Sequence, residues 1–249
     1  MTPLGLLAVA GAGLVAGAVN TIAGAGSLLS FPLLVGLGLS PLAANVTNDV
    51  GLTPSNGAGA LSLRRELRGQ GSLLRIVVPV AAAGSLAGGV LLLVAPPRVF
   101  AIAAPVMLLV GSLLTVAQPR LTALAQRGAR SHRGWLRVAV GTVAVYGGYF
   151  GTGIGVLFVA VLQLFVRDKL RRLNASKIVL ALVSNGVAGV LFAFVGPVHW
   201  LVALVLAASA SIGAPIGGWL SYRISASTLR KVICVVGVAA SAYLFWHQS

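Results

Sequence analysis

The sequence predicts an all-α polytopic membrane protein made of two inverted repeats, each of about five helical segments, with broken or re-entrant helices at the repeat interface. Three observations predict it. First, of 249 residues 58% are apolar and only 8% charged, with a mean hydropathy of +1.00, whereas soluble chains carry roughly 25% charged residues. Second, the net charge of +15 reflects scarce acid: eighteen Lys and Arg stand against Asp49, Glu66 and Asp168. Those basic residues cluster between apolar runs of about 20 residues, which excludes a nucleic-acid-binding module. Third, a gap-free shift of 129 residues lays Gly24 and Gly26 on Gly153 and Gly155, Asn45 on Asn174, Thr47 on Ser176, and Ser55-Asn56-Gly57 on Ser184-Asn185-Gly186.

The first segment, 3–19, has no basic residue before its apolar core and recurs in the second half, so it belongs to the mature fold rather than to a signal peptide. Segments near 27–38, 42–63, 73–94 and 99–117 follow, and 136–152, 155–166, 175–195, 200–222 and 229–246 repeat the series, cut at Gly, Pro, Asn and Arg clusters. A helix needs about 20 apolar residues to cross the hydrocarbon core. The second segment of each half is too short, so the first two form either a broken crossing or a hairpin that turns back. The domain reading is a first transmembrane repeat over 1–117, a basic linker over 118–135 and a second repeat over 136–249.

Seventeen of the eighteen basic residues fall in 64–75, 118–137, 167–177 and the trio Arg223, Arg230 and Lys231. The segmentation puts all four clusters on one side, which the positive-inside rule makes cytoplasmic. Basic 64–75 corresponds to uncharged 195–200, and basic 167–177 to uncharged 39–45. Similar sequence with exchanged sidedness implies inversion, a cell (inner) membrane location and both termini outside.

Symmetric interruptions mark binding sites in inverted-repeat transporters. Here they are Asn20-Thr21 through Gly24, Gly26 and Ser27, and Gly147 through Gly151, Thr152, Gly153 and Gly155. Each precedes a short helix whose exposed N–H groups favour anions, although glycines also serve plain helix packing. On the third helix, after the Ser40-Pro41 start, come Asn45, Thr47, Asn48 and Asp49. Asp49 is either a carboxylate eased by a helix N-terminus or a proton- or ion-coupling group. Lys177 corresponds to Asn48 and either snorkels to the basic surface or faces inward to hold an anion. Ser55, Asn56, Ser184 and Asn185 either complete a polar site or fasten helices together. Gly84-x-x-x-Gly88 and Gly213-x-x-x-Gly217 read as helix packing, and the four Trp as interfacial anchors. His132, His199 and His247 are too dispersed for a metal triad, and Cys234 alone excludes a cysteine cluster; no metal or cofactor is expected.

At these residues the chain resembles the TauE/SafE family of sulfite exporters and anion permeases. The likeness rests on Gly24-Ala25-Gly26-Ser27-Leu28-Leu29-Ser30-Phe31-Pro32-Leu33-Leu34, on Ala44-Asn45-Val46-Thr47-Asn48, on the degenerate copy from Gly147 to Asn185, and on Gly213-Ala-Pro-Ile-Gly-Gly218. The family's usual unbroken triple glycine is interrupted by Ala25 here and by Ile154 in the second copy. The resemblance implies export of sulfite, of sulfonates such as sulfoacetate, or of related sulfur-containing organic anions, driven by an ion gradient. On that reading Asn20, Thr21, Gly24, Gly26 and Ser27, with Gly151, Thr152, Gly153 and Gly155, cradle the anion. Asn45, Thr47, Asn48, Ser55, Asn56, Asn174, Ser176, Ser184 and Asn185 supply hydrogen bonds, and Asp49 and Lys177 couple or select charge. The expected partners are a small anion, membrane lipid and protons, with no nucleic acid; self-association stays open. An enzyme is not expected, because three dispersed acids offer no acid–base cleft. A passive channel and a structural subunit are the competing readings.

Overall fold

The computed structural model describes residues 2–128, 133–221 and 226–248. Among these lie ten helices and no strand: α1 (Pro3–Ala23), α2 (Ser27–Gly36), α3 (Pro41–Ser62), α4 (Gly71–Val94), α5 (Pro97–Gly128), α6 (Arg133–Tyr149), α7 (Ile154–Phe165), α8 (Leu170–Val195), α9 (Trp200–Leu220) and α10 (Ala226–Gln248). Five of them, α1, α4, α5 over 97–117, α8 and α9, are long and apolar enough to cross a membrane. The starts of α3, α4 and α5 stand 129 residues before those of α8, α9 and α10.

Local signals explain the boundaries. The Thr2 and Ser40 side chains accept from the N–H groups of Gly5 and Ala43, with Pro3 and Pro41 at the first helical positions, where the missing N–H costs nothing. Gly24 ends α1 at φ 76° and Gly153 starts α7 at φ 75°. These equivalent residues both occupy the left-handed region that a β-carbon disfavours. Several boundaries differ from the sequence expectation: α1 runs on to Ala23 and α8 begins at Leu170. Residues 118–128, read as the start of a linker, continue α5, since Ala, Leu, Gln and Arg there are good helix formers. Arg130, His132 and Arg223 lie outside the described residues, as do the side chains of Arg120, Arg127 and His247.

The short segments turn back. Gly26 lies on Ala16 and Asn20, while Leu37, just beyond α2, reaches Gly5. So α2 returns antiparallel along α1, and the hairpin opens where α1 begins. In the second half, Arg133 and Leu136 at the start of α6 line one pocket with Phe165 and Val166 at the end of α7, so that hairpin also closes on itself. The two tips meet inside the bundle, where a β-carbon on Gly155 would stand 2.5 Å from the Gly24 Cα.

Helices from both halves pack together. α1 lies on α9 through Gly17 against Ala210, Gly213 against Leu14 and Gly217 against Ala18. α4 lies on α6 through Gly84 against Gly141, Gly88 against Val145 and Gly148 against Ser85. The small-residue spacings thus do the packing expected of them. α3 joins α1 and α9, and α8 joins α4 and α6, forming two three-helix bodies of matching composition. Between the bodies α3 crosses α8: Gly59 meets Ile178, Gly57 meets Leu182, and Gly186 and Gly189 meet Thr53. The rising and falling numbers make the crossing antiparallel, with Ser55-Asn56 level with Ser184-Asn185. Outside this core, α5 packs on α10, where the Ser241 hydroxyl donates to Pro105 O at 2.8 Å.

Both pairs of loops meet at their own end. Gln70 Nε2 donates to Arg172 O at 2.9 Å, joining basic 64–75 to basic 167–177. His199 N donates to Thr47 Oγ1 at 3.0 Å, joining the uncharged 195–200 loop to the start of α3. Trp135, Trp200, Trp219 and Trp246 are all exposed near helix ends, as interfacial anchors are.

The packing seams make a direct prediction. A methyl on Gly88 points at the carbonyl of Val145, so Gly88→Ala is expected to cost about 1–3 kcal/mol by overpacking and to lower the Tm in detergent. Gly11, inside α1, has nothing within 4 Å of an added β-carbon. Gly11→Ala is expected to match or exceed the parent Tm; equal losses in both variants would contradict the seam.

Candidate functional site

α3 carries too many polar residues to be an ordinary spanning helix, and yet Asn45, Thr47, Asn48, Asp49, Ser55 and Asn56 on it are all buried. The surrounding helices shield them from lipid, so each polar group must find a partner in the bundle or await a ligand. Asn45, Asp49 and Asn56 stand four and seven residues apart, on one face of the helix.

Each hairpin tip is tied to the third helix of the opposite half. At the first tip, Asn174 Nδ2 donates to Thr21 O at 3.3 Å, and Lys177 Nζ donates to Asn20 O at 3.2 Å and Thr21 O at 3.5 Å. The ammonium therefore caps the C-terminal carbonyls of α1, where the helix dipole favours a cation. Lys177 is 1% exposed, so the snorkelling alternative is excluded: the α1 tip intercepts the side chain about 11 Å into α8. At the second tip, Asn45 Nδ2 donates to Tyr149 O at 3.3 Å, and Gly151, at φ 70°, brings its backbone up to the Asp49 carboxylate. Asp49 sits about 12 Å into α3 by the helical rise. Thus one tip receives an ammonium and the other a carboxylate.

Several expected ligands are already engaged. Thr47 Oγ1 accepts from His199 N, and the equivalent Ser176 Oγ donates to Gln70 Oε1. Gln70 and His199 are themselves 129 residues apart and precede α4 and α9, so Thr47 and Ser176 fasten the starts of those helices. Thr21 Oγ1 donates to Gly17 O and Ser55 Oγ to Leu52 O, each within its own helix. Ser27 Oγ accepts from Gly153 N at 3.1 Å, which fixes one tip to the other. Thr152 Oγ1 donates to Phe150 O at 3.4 Å. Asn48 Oδ1 accepts from Ser30 Oγ, and Tyr146 OH donates to Thr152 O at 2.8 Å. Sequence reasoning passed over Gln70, Ser85 and Tyr146, and gave His199 and Ser30 no part in the site. The 129-residue shift pairs Gln70 with His199, but their chemical difference hid the match.

What remains is a set of atoms with nothing to bond. Among the described residues, the buried side-chain atoms without a partner are Asn45 Oδ1, Asp49 Oδ2, Asn56 Nδ2, Ser184 Oγ and Asn185 Oδ1. All lie on α3 or α8: Asn56, Ser184 and Asn185 at the level where the two helices cross, and Asn45 and Asp49 beside the second tip. Asn56 is held from the other side, since its Oδ1 accepts from Asn20 Nδ2 at 2.7 Å, and Ser184 is held through its carbonyl, which accepts from Ser85 Oγ. The surroundings differ between the poles. Phe31, Phe100 and Tyr146 pack around Phe150 at the second tip, with Phe31 edge-on to Phe150 at 5.3 Å and Tyr149 against Phe100. The first tip has amides and the Lys177 ammonium instead. No group of three or more His, Cys, Asp or Glu able to hold a metal occurs among the described residues.

Comparison with known proteins gives the family. The profile of the family "Sulfite exporter TauE/SafE" matches residues 9–244. A Sinorhizobium protein named "Probable membrane transporter protein ORF9" is 26% identical over 94% of this chain and 89% of its own length. The Escherichia coli K12 protein named "Probable membrane transporter protein YfcA" is 24% identical over 94% of this chain and 87% of its own. No solved structure matches. A multi-pass helical bundle whose buried polar helices meet between two glycine-rich hairpins, matched almost end to end by that profile, belongs to the TauE/SafE family of membrane transporters.

Proposed function

We propose that the protein is a secondary transporter that exports sulfite, sulfonates such as sulfoacetate, or related sulfur-containing organic anions, and that it binds them near the membrane midplane between two inverted repeats. The observation that carries this reading is the pair of unpartnered buried donors, Asn56 Nδ2 and Ser184 Oγ, on α3 and α8. Buried polar groups are normally satisfied, and those left open inside a membrane bundle mark function. The inverted-repeat reading is supported by the antiparallel α3–α8 crossing and by the equivalent ties Thr47–His199 and Ser176–Gln70.

In this reading Asn56, Ser184 and Asn185 hold the anion, with Lys177 supplying positive charge from the first tip. Asp49 couples transport to protons: its Oδ1 stands at Gly151 while its Oδ2 has no partner, and that carboxyl exchanges a proton as the second tip moves. Gly24, Gly26, Ser27, Thr152, Gly153 and Gly155 shape the tips, and Thr47, Asn48, Ser55 and Ser176 hold the frame. The basic end faces the cytoplasm and both termini face outward, following the charge asymmetry of the loops.

Proteoliposomes loaded with buffer and given labelled sulfite or sulfoacetate test the reading, with empty vesicles alongside and with or without an imposed pH gradient. Gradient-dependent, saturable accumulation is expected, and Asp49→Asn is expected to lose the gradient dependence. Flux that neither saturates nor accumulates assigns a channel instead, and absence of flux from folded protein contradicts transport of these anions.

A further inference from the structure

We infer that the basic end of the bundle carries a binding pocket for an anionic phospholipid, centred on Arg133 and Arg167 and separate from the transport site. Three elements build it: the first turn of α4 with Ser72, Leu73 and Ile76, the first turn of α6 with Arg133 and Leu136, and the end of α7 with Phe165, Val166 and Arg167. The cavity holds about 240 Å³. Val166 and Arg167 also line an adjoining cavity of about 490 Å³, where Lys169 and Asp168 stand.

The chemistry of the walls selects the ligand. The smaller cavity has two guanidinium groups and a serine hydroxyl, with no acid among its lining residues. Asp168, in the adjoining cavity, is engaged: it holds Arg172 at 2.8 Å and accepts from its neighbour's backbone N–H. Arg75 and Arg137, exposed on α4 and α6, add to the positive field. Gln70, which precedes α4, spends its amide on Glu66 O and Arg172 O and leaves the first N–H groups of α4 without a side-chain cap. Those N–H groups and the guanidinium groups suit a phosphodiester.

Beneath them the wall is Leu73, Ile76, Leu136, Phe165 and Val166, which a free hydrated anion does not need and the first carbons of a diacylglycerol do. Trp135, two residues along α6 from Arg133, is 64% exposed, which sets this level at the membrane interface. Basic pockets between transmembrane helices bind acidic headgroups by this combination of charge and depth.

The test is native mass spectrometry of the full chain in detergent, titrated with phosphatidylglycerol or phosphatidylcholine of matched acyl chains. Wild type is expected to retain phosphatidylglycerol preferentially. Arg133→Gln with Arg167→Gln is expected to lower that affinity by roughly thirtyfold, taking the usual contribution of a basic side chain at an anionic surface for each. Arg64→Gln with Arg68→Gln removes the same charge from the same end of the bundle and is expected to change the affinity little, and matching Tm values for the three proteins show that the fold is kept. Equal retention of both lipids, an equal loss in both double variants, or displacement of the lipid by inorganic phosphate at millimolar concentration would each overturn the proposal.

Discussion

Gly155→Ala is expected to abolish anion flux and to lower the Tm more than Gly153→Ala does. The added carbon would stand 2.5 Å from Gly24 Cα and 2.8 Å from Gly24 O. Backbone in a tight turn cannot swing aside as a side chain does, so the tips must separate, at a cost of about 3 kcal/mol by the upper range for overpacking. The neighbouring Gly153→Ala gives the contrast. It suffers left-handed strain at φ 75°, about 1–2 kcal/mol, but its new carbon has nothing closer than 3.8 Å. Thermal unfolding of both purified variants checks the order, and proteoliposome flux checks the consequence. A Gly155→Ala protein as stable and active as its parent would mean that the tips do not touch in the working molecule.

Lys177→Met is expected to separate charge from packing. Methionine keeps much of the volume and apolar stem while removing the ammonium and the desolvation cost of burying it, which offsets part of the lost hydrogen bonding. What is lost is the donor to Asn20 O and Thr21 O and the positive charge at the first tip. If that charge serves the anion, the affinity falls by roughly 10- to 100-fold, the range for a charged hydrogen bond. Transport KM read beside Tm distinguishes the cases. A raised KM with a Tm within a few degrees supports the anion role, and a collapse of Tm with KM unchanged in the residual folded protein assigns Lys177 to capping alone.

The equal offset of helix starts in the two halves was legible because its markers are unusual residues: Asn45 and Asn174 each tie a hairpin tip across to the other half. Helix starts were legible where Ser40-Pro41 announces one. The hairpin was not, because twelve apolar residues look the same whether they complete a crossing or turn back; only contacts such as Gly26 on Ala16 and Leu37 on Gly5 decide it. The choice between the two placements of Lys177 was not legible for a related reason. Sequence gives its distance from the basic loop but not the presence of α1's carbonyl end in its path. Thr47 and Ser176 looked like ligands because buried hydroxyls at symmetric positions suit either a substrate or a helix start, and their partners lie 152 and 106 residues away. Ser184, Asn185 and Asn56 keep open atoms because α3 and α8 cross at their level, and that level depends on the register of two helices from different halves.

The most direct test of anion binding at that crossing is equilibrium titration calorimetry of sulfite and sulfoacetate into detergent-purified protein, comparing the parent with Asn56→Leu, Asn185→Leu and the double variant. Leucine preserves bulk and removes every donor and acceptor of the amide. Saturable binding by the parent, weakened roughly tenfold in each single variant and further in the double variant, with unchanged Tm, is the expected result. Binding by the double variant as tight as that of the parent would contradict an anion site at the α3–α8 crossing.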